Sequence, residues 1–128
     1  MLLIKAGVNK GRSKDMEKIK VLTTACESNT YDLSVQMSEL KVIQGAVSRL
    51  SERIESIVNN GWHEYSCMTY LSINEIYDTV RLIDMGFRPL YKEINDTVEQ
   101  LHSDSSKLFE AVHVKEENQK VDTLTSTK

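Results

Sequence analysis

The residues best suited to chemistry lie together at His63-Glu64-Tyr65-Ser66-Cys67. The spacing matches a zinc-hydrolase His-Glu-x-x-His with Cys in the last place, and on one helix His63 and Cys67 would share a face. A zinc site needs three or four ligands, however. His102 stands 35 residues beyond Cys67, more than about 50 Å along a straight helix at 1.5 Å per residue. The expectation is therefore a polar loop beside Trp62, with no metal. A Cys67–His63 nucleophilic pair fares no better. A helix N-terminus would lower the thiol pKa, but no oxyanion donors or substrate cleft accompany it. Glu75 and Asp78 belong to a solvated face, and residues 7–14 lack the Gly-Lys-Ser/Thr ending of a phosphate loop. No catalytic residue, cofactor site or metal site is expected, and the chain reads as a non-enzyme.

Composition points the same way. The 128 residues hold 40% hydrophobic and 27% charged side chains, five glycines and Pro89 alone. Few breakers favour long helices. No apolar run reaches the 18 or more residues of a membrane span. Cys26 and Cys67 form no disulfide framework, so a cytoplasmic protein without membrane contact is expected. The net charge of −3 divides unevenly, with +4 on residues 1–20 and −7 on the rest. An acidic body makes duplex binding the lowest-ranked function, carried if at all by Lys10, Arg12, Lys14, Lys18 and Lys20.

The elements emerge from heptads. With Ile19 as a, the first segment places Leu40, Val47 and Ile54 at a and Ile43, Leu50 and Ile57 at d. Every a and d site over 40–57 is aliphatic, which gives one apolar stripe. Asn29 and Gln36 interrupt the earlier d series, and residues 28–32 are poor helix formers. A short helix over 16–27 and a main helix over 32–59, capped by Asp32, are expected, with one continuous helix as the alternative. Asn59-Asn60-Gly61 should end it. Ser66 should then cap a helix over 66–104, kinked near Pro89, with a short helix over 105–114. Its a series includes Ile73, Val80, Phe87 and Ile94, and its d series Ile76, Ile83 and Leu90. Residues 1–15 read as a flexible basic leader, with Met16 an alternative start to Met1, and 115–128 as a disordered polar tail.

These segments define an all-α antiparallel hairpin. The short N-terminal helix, dimerisation into a four-helix bundle, or both are expected to complete it. Gly61-Trp62 in the turn resembles, in reversed order, the Trp-x-Gly class of small secreted helical proteins. That likeness is confined to the hairpin layout; a structural or secretion-associated hairpin paired with a related chain is the alternative function. The second segment carries more apolar residues than one seam uses. Tyr70, Tyr77 and Tyr91 occupy e sites, and Met68, Leu71, Leu82 and Met85 lie on the opposite c/f face. With Arg81 and Arg88 they form the expected surface for a partner protein, the heptad stripes serving self-association. A regulator, inhibitor or adaptor ranks first.

Overall fold

The computed structural model describes residues 2–126, with side chains from Lys10 onward. Two long helices, α1 (Leu2–Asn59) and α2 (Ser66–Thr125), are joined through a 3-10 turn at Trp62–Glu64. No strand occurs among the described residues. Gly61 makes the reversal, with φ 67° and ψ 17°, a left-handed conformation in which a Cβ is penalised. Its N–H donates to the Val58 carbonyl at 3.0 Å and its carbonyl accepts from Glu64 N–H at 3.1 Å. The expected helix end at 59–61 is thus in place. Helix α2 starts at Ser66 itself, after an extended Tyr65, one residue earlier than a Ser66 cap would give. The Tyr65 carbonyl accepts the Thr69 N–H at 2.8 Å.

The chain forms two compact units. One comprises Met1–Asp32 with Thr97–Lys128; the other is Leu33–Asp96. In the first unit Leu22 is the buried apolar residue among those described, flanked by half-buried Ile19, Cys26, Leu101, Leu108 and Ala111. The same seam holds a polar layer. Asp104, only 7% exposed, accepts Asn29 Nδ2–H at 3.1 Å on one oxygen and Gln100 Nε2–H at 3.0 Å on the other.

That layer corrects the expected break at 28–32, because α1 runs through it without interruption. Asn29 spends its amide on Asp104 instead of on local backbone. Thr30 Oγ1 donates back to the Cys26 carbonyl at 2.8 Å, so neither residue competes with the helix ladder. Separate helices over 16–27 and 105–114 are likewise absent from the described residues, both segments being parts of the long helices. Residues 10–15 and 115–125, expected as loose leader and tail, are helical. Arg12 meets Asp122 at 3.1 Å, and Lys115 Nζ approaches Met16 sulfur at 2.8 Å. Each end supplies the other's partner. Met1, the Lys5 side chain of the expected leader and the last two tail residues lie outside the described set.

In the Leu33–Asp96 unit, Ile57 and Leu90 are buried, while Leu40, Ile43, Leu50, Ile76, Ile83 and Ile94 are half-buried. The seam therefore follows the d sites of both segments. The a sites nearer the turn stay open: Val47, Ile54, Ile73, Val80 and Phe87 are all exposed, Ile73 to 60%. Two helices alone give each stripe one partner, and the side of the stripe away from it faces water. Helix α2 is continuous through Gly86 and Pro89. The missing proline donor is local, the Arg88–Asp84 pair at 2.9 Å lies on the preceding turn, and Leu90 is buried immediately after it.

Candidate protein-binding surface

Heptad geometry on α2 separates the partner-binding residues expected from sequence into distinct groups. Tyr70, Tyr77 and Tyr91 at e, with Arg81 and Arg88 at b, lie beside the open a series of Ile73, Val80 and Phe87. All three tyrosines are exposed, Tyr77 to 64%. The Phe87 and Tyr91 rings sit 5.9 Å apart between centroids, inclined at 32°. An apolar strip edged by phenols and guanidiniums results, with the hydroxyls free to choose partners by direction.

Leu82 lies across the helix from that strip, on the c side, together with half-buried Met68. Leu71 and Met85 are exposed at f, between the two flanks. The nine residues do not form one surface.

Leu82 belongs instead to a groove within the Leu33–Asp96 unit, of about 500 Å³. Val42, Ile43, Ala46 and Leu50 of α1 line it with Ile76, Thr79, Leu82, Ile83 and Gly86 of α2. Small g residues keep it open. A Cβ on Gly86 would meet only the Ile43 Cδ1, at 3.9 Å. Arg49, Arg53 and Glu75 edge one end. There Arg53 donates to both Glu75 oxygens, at 3.0 and 3.1 Å, and its guanidinium lies 5.3 Å from the Trp62 ring centroid. Half-exposed, this cluster contributes at most about 1 kcal/mol. The sequence signal for the groove is the set of small residues at g, namely Ala46, Thr79 and Gly86.

The remaining chemical candidates come apart. His63 lies in the 3-10 turn and Cys67 in α2, with extended Tyr65 between them, so they share no helix face. Among the described residues no three His, Cys, Asp or Glu side chains gather as a metal site. Both cysteines are free. Lys10, Arg12, Lys14, Lys18 and Lys20 are exposed on α1, and Arg12 is engaged by Asp122. No described helix is long and apolar enough to cross a membrane.

Comparison with family models, curated proteins and solved structures gives no match.

Proposed function

We propose that this chain is a small, non-enzymatic, cytoplasmic protein-binding module, a regulator, inhibitor or adaptor that acts through helix–helix association with itself and with another protein. The observation that carries this reading is the open a/e flank of α2. Ile73, Val80 and Phe87 repeat every seven residues in water, and Tyr70, Tyr77 and Tyr91 border them. Exposed heptad stripes are stable only in the company of another apolar surface. Tyrosine and arginine at the margin supply the anchors typical of protein interfaces.

The test is substitution on the flank, away from the hairpin seam. Tyr77→Ala and Arg81→Glu are expected to weaken partner capture by at least about tenfold, the scale of a moderate interface residue. The melting temperature of the isolated chain should not change. Unchanged binding in both variants, with stability also unchanged, would remove the flank from the interaction.

A structural hairpin paired with a related chain is the second reading. It is favoured by further exposed apolar side chains in the other unit, among them Phe109, Val121 and Leu124. Co-purification with a helical chain encoded alongside would select it.

A further inference from the structure

We infer that the groove on the g/c side of the Leu33–Asp96 unit receives a second copy of this chain, docked antiparallel about a two-fold axis near Ala46. The inference rests on the self-association proposed above and assigns it a face and a direction. It leaves the tyrosine flank, on the far side of the seam, to the other partner.

Area is the first argument. The chain exposes 10632 Å², against about 6,900 Å² for a compact monomer of 14.6 kDa. The surplus, about 3,700 Å² per chain, is more than the roughly 1,000–2,500 Å² that each chain of an obligate homodimer buries. Buried apolar side chains in the unit are correspondingly few, Ile57 and Leu90.

Shape is the second. A two-fold contact must carry both projections and recesses on one surface. Leu82, 69% exposed, and Val42 project at the groove. Ala46, Thr79 and Gly86 form the recess, and the space at Gly86 accepts atoms beyond its own Cα. Leu82 of one copy can therefore seat over the small residues of the other.

Charge selects the direction. Successive g sites of α1 are Glu39, Ala46 and Arg53, about 10 Å apart at 1.5 Å per residue. Arg49 edges the groove on the Arg53 side, whereas Glu93 of α2 is a further g carboxylate toward the Glu39 end. Glu39 and Arg49 are both exposed. Parallel docking sets Glu39 against Glu39, a like-charge contact. Antiparallel docking sets Glu39 against Arg49 of the other copy, twice over by symmetry, Arg53 being held by its own Glu75.

Sedimentation equilibrium of the full chain at micromolar concentration, with helical circular dichroism as the folding control, tests the inference. The wild-type is expected at twice the chain mass. Leu82→Glu, at an exposed position, should shift the chain to monomer. Gly86→Leu, which fills the recess while replacing a poor helix former, should do the same with helicity retained. Glu39→Arg should weaken association about tenfold, and Glu39→Arg with Arg49→Glu should restore it. A dimer indifferent to all four variants would overturn the face while self-association stood. Failure of the double exchange to restore binding would overturn the antiparallel direction. A wild-type monomer at every concentration would overturn both the inference and the self-association beneath it.

Discussion

Leu90→Ala is expected to cost about 3 kcal/mol of unfolding free energy, within the roughly 2–5 kcal/mol range for a buried leucine truncated to alanine. Leu90 is 5% exposed and one of two buried apolar side chains in its unit. The hairpin has little other core into which neighbours can collapse, so the cavity persists. Against a total stability on the order of 5–15 kcal/mol, such a loss is large. The comparison is Leu82→Ala, an equal change in composition at an exposed site, which should move stability by no more than about 0.5 kcal/mol when the chain is monomeric. Urea unfolding of both variants at low chain concentration reads the difference. Equal midpoint shifts would mean that the seam does not run through Leu90.

The second large effect belongs to the polar layer. Asn29→Leu strips one donor from a carboxylate that is 7% exposed, and should destabilise by about 1.5–3 kcal/mol, the scale of a hydrogen bond to a charged group. Asn29→Leu with Asp104→Leu removes donor and charge together. Buried polar clusters replaced by apolar side chains are commonly neutral or stabilising, by as much as about 4 kcal/mol. The double variant should therefore match or exceed the wild-type. What it should lose is register. A polar layer in a helical seam lets one alignment satisfy its groups and penalises the rest. Chemical denaturation of the two single variants and the double variant gives the coupling directly. Additive destabilisation in the double variant would contradict the coupling of Asn29 to Asp104.

The same residues mark how far sequence reaches. Helix type, the reversal at Gly61 and the apolar stripe over 40–57 follow from local periodicity and a left-handed glycine; that its d sites form the seam while Val47 and Ile54 stay exposed does not. The continuity of α1 across 28–32 does not, because Asn29 is satisfied by Asp104, 75 residues away. Both heptad segments carry polar d residues, and a polar d site on one helix of a hairpin calls for another opposite. The helical ends escaped for a related reason. Residues 10–15 and 115–125 are polar when taken separately, and only Arg12 beside Asp122 and Met16 beside Lys115 show each as the other's support. The surface was half legible. Tyr70, Tyr77 and Tyr91 are exposed as their e positions imply, and Leu82 and Met68 lie on the opposite side as their c positions imply. The groove beneath Leu82 is defined by what its g residues lack.

The central claim is that this hairpin works in company, its open heptad flanks covered by other helices. The most direct measurement is the native mass of the tagged full chain purified from its own host, with the eluted components identified. The expected result is an assembly heavier than one 14.6 kDa chain, containing two copies, a protein partner, or both. A single chain at micromolar concentration with nothing bound to it would contradict the claim.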